Sequence, residues 1–393
     1  VEDVELDPER TRAAGQAGDA LRAGRGVLIT GEAGSGRSHF LRSVVAGLDQ
    51  ETRRRLWLYD DDRALDQRAE KRLLEAASAR EVVPVVVTRA RGTLEPWQRT
   101  LAWEHDHLWI RLAPFDPTAM LTIARRFLDG PIDPKSVPVL VPRRAGGDLV
   151  VLREAFREIR TSGGLSRSDG VWSLSGPIPP LDGTRALIRQ RSGSGDEPAG
   201  DPIETALDVI ALAPELGLDR TRRLLGELTA DLPGAAAARE AVFEPGTDDV
   251  LERLESNGVI DVIERHGTVR CRVHDPVVEL LLPHTIGRLR RRRISNAIVG
   301  ALSDRPAAES EDGELLALAR LALPLGWPVD AAALTRAAGT ALRSSRLDLA
   351  CRLATAALAD GAPVEAEFVL AAAQSQLGRS DEALARLEAI RFE

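Results

Sequence analysis

Residues 26–41 read GVLITGEAGSGRSHFL: an apolar run of strand character, a glycine-rich bend and the opening of a helix. The pattern GxxxxGK[ST] is met at Gly31, Gly36 and Ser38, with Arg37 in the lysine position. Glycines let backbone N–H groups close around phosphate oxygens, and the helix N-terminus adds a partial positive charge. Ser38 would place a hydroxyl on Mg²⁺. Gly34, inside the bend, and His39, on the first helical turn, complete the expected nucleotide contacts. A lysine would set a compact charge between the β- and γ-phosphates, whereas the broader guanidinium of Arg37 holds them differently. ATP or ADP with Mg²⁺ is therefore expected to bind, with weak or absent hydrolysis. The plain alternative is a glycine turn that binds nothing.

On either side of this stretch, strand and helix alternate. Residues 8–23 read as a helix, 39–48 as the helix after the bend, and LWLY (56–59), VVPVVV (82–87) and LWIRL (108–112) as further strands, with a helix over 67–79. This order predicts a parallel α/β sheet with crossover helices. From Asp116 the pattern turns helical, giving a small lid over 116–165. The Gly-, Ser- and Pro-rich segment 161–202 is expected to be a linker or long surface connection. Beyond it, helices near 203–213, 218–228 and 248–256 precede two alternating β-runs around His266-Gly267, the order of a winged helix.

The last hundred residues are Ala/Leu-rich helix. Asp348-Leu349-Ala350 and Asp381-Glu382-Ala383 recur at a spacing of 33 residues, near the tetratricopeptide period. Two copies cannot bury a solenoid's faces and the sequence stops inside the second, so the chain is expected to be a piece of a longer protein. The expected divisions are a P-loop domain over 1–115, the lid over 116–165, a connector with the winged helix over 166–283, and helical repeats over 284–393.

Composition agrees with a helix-rich, multidomain α/β and α protein. Hydrophobic residues make up 44% and aromatics 4%, so cores of Leu, Ala and Val are expected, and 393 residues exceed what one core usually organises. A net charge of −8 argues against a nucleic-acid coat. Arginine supplies 50 of the 52 basic residues, Lys71 and Lys135 being the only lysines. Cys271 and Cys351 stand far apart with no CxxC or Cys/His spacing, so neither a disulfide framework nor a zinc site is indicated, and a reducing cytoplasm is expected. No window has the roughly 20 apolar residues of a membrane span. The run Arg288, Arg290, Arg291, Arg292 and Arg293 reads as a solvated helix start, since no aromatic residues interleave it.

Acids and a guanidinium follow the bend in useful order. LWLYDDD ends an apolar strand in carboxylates, so Asp60 would hold Mg²⁺ through water and Asp61 would orient or deprotonate the attacking water. An acidic helix cap is the alternative. Only about 20 residues separate the bend from these acids, so a strand–helix unit common between such motifs is missing. Arg89, just past the third strand, could reach a γ-phosphate, or be a surface arginine.

GVLITGEAGSGRSHFL, LYDDDRALD and PVVVTR together resemble the nucleotide-binding core of LuxR-type large ATP-binding regulators, among the AAA+-related signal-transduction ATPases with numerous domains (STAND). AGGDLVVLREAFREI resembles the family's GGNPL-type helix start, DGVWSL its short connector, RCRVHDPVVELLL its winged-helix histidine motif, and GRLRRRRISNAIVGAL the helix that follows. The resemblance covers about residues 10–390 and rests on the order of the motifs. It implies that His274 touches the β-phosphate of ADP in a closed state. The family's adenine-side proline falls at Leu149, so that feature is lost. It further implies an inducer or protein ligand on the repeats, self-association of an open form, and transcriptional output through a C-terminal helix-turn-helix that is not evident here. Two other readings stay open: a non-catalytic scaffold with a pseudo-ATPase domain, and a winged-helix DNA-binding protein.

Overall fold

A computed structural model of the chain describes residues 8–32, 34–60, 67–89, 96–104, 107–192, 202–230, 246–265, 267–362 and 364–390. The chain divides into two compact units: Val1–Thr184 with Asp275–Leu281, and Arg185–His274 with Leu282–Glu393.

The first unit is built on a parallel sheet whose strands are β1 (Val27–Gly31), β2 (Leu56–Asp60), β3 (Val83–Arg89) and β4 (Leu108–Leu112), in the order β2-β3-β1-β4. Side chains on a strand alternate between faces, and the central strands β1 and β3 are covered on both, so residues 27–29 and 83–87 read as apolar runs. Val27, Ile29, Val83, Val85 and Val87 pack against Ala17 and Leu21 of α1 (Pro8–Arg22) and Phe40 and Val44 of α2 (Arg37–Ala46). Leu28 and Val86 face the other way, against Leu73 of α4 (Gln67–Ser78) and Trp97 and Leu101 of α5 (Pro96–Glu104). The short α3 (Gln50–Arg54) leads directly into β2. The missing strand–helix unit leaves β2 at the sheet's edge, with Leu58 half exposed.

After β4, Asp116 caps α6 (Pro117–Leu128), its carboxylate accepting from Ala119 N, and Pro117 supplies the first helical residue. A short turn, α7 (Val137–Leu140), and α8 (Leu149–Thr161) follow. The expected linker over 161–202 is structured through Ser192. It holds a hairpin of β5 (Leu165–Ser168) and β6 (Val171–Leu174), then α9 (Asp182–Ser192). The signal was the dipeptide Asp169-Gly170: both residues have positive φ, 51° and 81°, as a two-residue hairpin turn requires. Glu158 caps the start of α9 by accepting from the N–H groups of Gly183 and Thr184. Residues 193–201 lie outside the described residues.

The second unit opens with α10 (Pro202–Leu212), α11 (Leu218–Ala230) and α12 (Thr247–Ser256). The hairpin of β7 (Ile260–Arg265) and β8 (Thr268–Val273) follows, in register from Ile260↔Val273 to Arg265↔Thr268. Gly217, between the first two helices, makes a further antiparallel bridge to Arg270. Next come α13 (Pro276–Thr285), α14 (Arg288–Ser303) and a succession of similar helices: α15 (Asp312–Leu325), α16 (Ala331–Arg343), α17 (Leu347–Ala359), α18 (Val364–Gln376) and α19 (Ser380–Ala389). Small side chains let the helices from α15 to α18 pack closely, through Ala319, Ala337, Ala338, Ala350, Ala354 and Ala373.

The arginine run at the start of α14 is not wholly solvated, as its sequence suggests. Arg290 turns inward and binds Asp208, whose carboxylate is fully buried and also takes Nη1 of Arg185 at 3.0 Å. Burying that carboxylate is tolerable only because two guanidinium groups satisfy it. Among the described residues no helix is long and apolar enough to cross a membrane. Both cysteines are free, and burial pushes the Cys271 thiol up to about 11.

Candidate phosphate-binding site

The bend after β1 holds two left-handed glycines. Gly34 and Gly36 hold φ of +74° and +78°, a region that side-chain-bearing residues rarely enter. Ser35 N donates to Glu32 O at 3.1 Å, closing the turn. Gly36 precedes α2 in the left-handed conformation, and Phe40 N donates to its carbonyl at 2.8 Å. The first-turn N–H groups of α2 have no carbonyl one turn earlier in the helix, so they are directed out of its N-terminus toward the bend. Ala33 lies outside the described residues.

Ser38 and Asp60, both expected at a cation, lie side by side. Ser38 Oγ donates to Asp60 Oδ2 at 2.8 Å. Asp60 ends the edge strand, paired with Val87 of β3, so α2 reaches across β3 to it. Two hard oxygen ligands side by side suit Mg²⁺, which keeps waters and takes further ligands from phosphate. Among the described residues no group of three or more His, Cys, Asp or Glu is positioned to hold a metal. Tyr59, next to Asp60, stacks edge-on against Trp97 at 5.4 Å, which fixes the end of β2 beneath α5.

Other expected residues fall as follows. Arg37 and His39 occupy the first turn of α2. Arg89 ends β3 with its backbone directly beside Gly31, the first residue of the bend. Asp61 lies outside the described residues. His274, in the second unit, places Nδ1 2.7 Å from Asp261 Oδ1, while Arg272 approaches the other carboxylate oxygen at 3.4 Å. Leu149 occupies the first position of α8, behind the cap Asp148, whose Oδ1 accepts from Val150 N at 2.8 Å and Val151 N at 3.3 Å. The helix start thus survives without the proline.

Three neighbours of the bend escaped the sequence reading. Arg10 of α1 lies behind it, donating to the carbonyls of Ser35 and Ala113. Phe115 packs its ring against both Arg10 and Gly36, and its carbonyl accepts from Gly146 N at 2.7 Å. Gly147 covers the bend from the lid side: a methyl built on Gly34 would lie 1.8 Å from the Gly147 carbonyl oxygen. A methyl on Gly147 would in turn lie 2.4 Å from Cγ2 of Val277. The run Gly146-Gly147 was visible in the sequence as a helix-start motif, but its contact with Gly34 was not.

No protein-family model and no curated protein matches the chain. Among solved structures, a Signal Transduction ATPase with Numerous Domains (STAND) protein with a tetratricopeptide repeat sensor, from Pyrococcus horikoshii, aligns over 98% of this chain and 58% of its own length. The identity is 14% and the TM-score 0.27, and the chain spans less than two thirds of that protein. Cdc6p from Pyrobaculum aerophilum aligns over 74% of this chain and 96% of its own, at 13% identity and a TM-score of 0.29. At these TM-scores neither likeness bears on what this chain does.

Proposed function

We propose that the chain is the nucleotide-dependent switch portion of a LuxR-type ATP-binding regulator, binding ADP or ATP with Mg²⁺ and hydrolysing slowly or not at all. The observation that carries this reading is the Ser38–Asp60 pair beside a bend whose glycines Gly34 and Gly36 are left-handed. Backbone amides of the bend and of α2 would take the phosphate oxygens, Arg37 their charge, and Ser38 with Asp60 the cation. Arg89 and, on the family resemblance, His274 are assigned to reporting the nucleotide state. ADP would favour a closed form, whereas ATP and an inducer or protein ligand on the helical repeats would favour an open, self-associating one. The bridge from Gly217 to Arg270 beside the β7–β8 hairpin supports a winged helix, and the helices from α15 onward support tetratricopeptide-like repeats. DNA contact would then belong to a separate C-terminal module.

Isothermal titration with ADP and ATP, with and without Mg²⁺, tests this reading. Magnesium-enhanced binding is the expected result, and no heat from either nucleotide at millimolar concentration would remove the proposal.

A second reading is a scaffold whose bend is only structural. It is favoured by the Gly147 carbonyl seated against Gly34, and by the buried Asp148, which sets a carboxylate-bearing residue next to the bend. The two readings part on whether nucleotide is released when the purified protein is denatured.

A further inference from the structure

Arg10 is a charged residue with only 6% of its surface exposed, in the first turn of a helix whose other inward positions are apolar. A buried guanidinium loses its hydration, so its contacts indicate where that cost is recovered. Nη1 donates to the Ser35 carbonyl and Nη2 to the Ala113 carbonyl, while the guanidinium carbon stands 3.7 Å from the centre of the Phe115 ring. Both carbonyls belong to turns that leave the carboxyl ends of parallel strands, β1 and β4.

The contact to Ser35 controls the bend itself. Ser35 lies between the two left-handed glycines, and its carbonyl shares a peptide plane with the Gly36 N–H. That peptide is trans, so the carbonyl and the N–H point in opposite directions. Drawing the Ser35 oxygen back toward α1 therefore turns the Gly36 N–H away from α1, toward the side where the amides of such a bend converge on an anion. A methyl on Gly36 would lie 3.3 Å from Nη1, so the fixed positive charge also sits directly behind the bend. A lysine could not reproduce this, because only a planar fork can reach two carbonyls while laying its face on an aromatic ring.

We infer that Arg10 is a positioning residue for polyphosphate binding, orienting the Gly36 amide from behind and adding charge without touching the ligand. This inference rests on the phosphate-binding reading of the bend. The test uses the full chain with Arg10→Met and Arg10→Lys, measured in two ways. Hydrogen exchange of amides 34–40 is followed without nucleotide, and affinities for ADP, inorganic tripolyphosphate and adenosine are titrated. Arg10→Met should speed exchange in the bend about tenfold, leaving amides 85–87 of β3 unchanged. It should weaken ADP and tripolyphosphate about tenfold and leave adenosine unaffected. Arg10→Lys keeps the charge and the fold, and should recover little of either loss. Unaltered exchange in the bend, or ADP affinity within about twofold of the parent, would overturn the positioning role. Should the parent chain bind neither ADP nor tripolyphosphate while Arg10→Met still loosens the bend, the proposed function fails and the orientation of the bend by Arg10 stands.

Discussion

Ser38 Oγ and Asp60 Oδ2 are 2.8 Å apart although 22 residues separate them in sequence. The hydroxyl comes from the first turn of α2 and the carboxylate from the end of the edge strand, so only the assembled sheet brings them together. Ser38→Ala and Asp60→Asn should each weaken nucleotide binding in Mg²⁺ by about tenfold, one charge-assisted contact, and change little in EDTA. Titration under both conditions checks this. Equal losses with and without the metal would place the pair outside cation binding.

Arg37 is the departure from the phosphate-loop pattern that bears most directly on turnover. A lysine ammonium is compact and has free choice of direction, whereas a guanidinium presents a broad plane. Arg37→Lys should therefore raise ATP affinity, turnover, or both, and phosphate release with calorimetry reads each. An unchanged variant would mean that the guanidinium already performs the lysine's task.

Glu215 gives the second unit an acid-sensitive joint. Burial pushes its carboxyl up, but Arg320 at 3.0 Å and Arg346 at 2.6 Å outweigh burial and hold it below the ordinary 4.5. Arg320 also donates to the Leu212 carbonyl, so the joint ties the end of α10 to α15 and to the residue preceding α17. A carboxyl depressed on folding stabilises the folded form above its unfolded value, and that stability is lost as pH falls through the folded value. The second unit should lose stability on acidification below about pH 4.5. Glu215→Gln should flatten this dependence and cost about 3 kcal/mol at neutral pH by leaving two guanidiniums unmatched. Calorimetric melts across pH 3 to 7, roughly the carboxylate range, provide the comparison.

The sheet was legible in the sequence because a strand buried on both faces must be apolar throughout, as Val83 to Val87 and Val27 to Ile29 are. Ser38 and Asp60 were legible because glycine spacing and a strand ending in acids are local signals. Arg10 was not: a buried arginine leaves no periodic trace, and its partners Ser35 and Ala113 are 25 and 103 residues away. Arg290 was hidden for the same reason. Its run looks like a charged surface until Asp208, itself inside an apolar helix, is placed beneath it. The β5–β6 hairpin leaves little trace in the sequence because its strands are only four residues long and lie amid serines and glycines.

Asp208 accepts from Arg185 and Arg290 with no exposure of its own, and Arg185 also faces the buried Glu204 at 3.5 Å, so the two carboxylates and two half-buried guanidiniums form one cluster. Asp208→Asn removes the charge and leaves both guanidiniums in place, and should destabilise the second unit by about 3–5 kcal/mol. Asp208→Asn with Arg290→Met should cost less than the single change, since the uncompensated charge is reduced. Urea unfolding of both variants decides the matter. A double variant less stable than the single one by the full cost of Arg290→Met would show that the cluster is not coupled.

Gly34, Gly147 and Val277 form a stack in which each contact has a different kind of neighbour, and this predicts which substitution can be rescued. Gly147→Ala meets the Val277 side chain, with Cγ2 at 2.4 Å and Cβ at 3.0 Å, and its backbone N at 3.0 Å, as well as an unfavourable φ of +120°. It should cost about 2–3 kcal/mol, part strain and part overlap. Val277→Ala removes the closest overlap, that with Cγ2, and leaves the strain and the 3.0 Å contacts to Cβ and N, so the double variant should be about 1 kcal/mol better than the sum of the singles. Gly34→Ala meets the backbone carbonyl of Gly147, which no side-chain change withdraws. Its loss of stability and of nucleotide binding should therefore persist unchanged in the Val277→Ala background. If Val277→Ala rescued Gly34→Ala as well, the bend would be yielding as a whole, and a rigid seat between Gly147 and Gly34 would have to be abandoned.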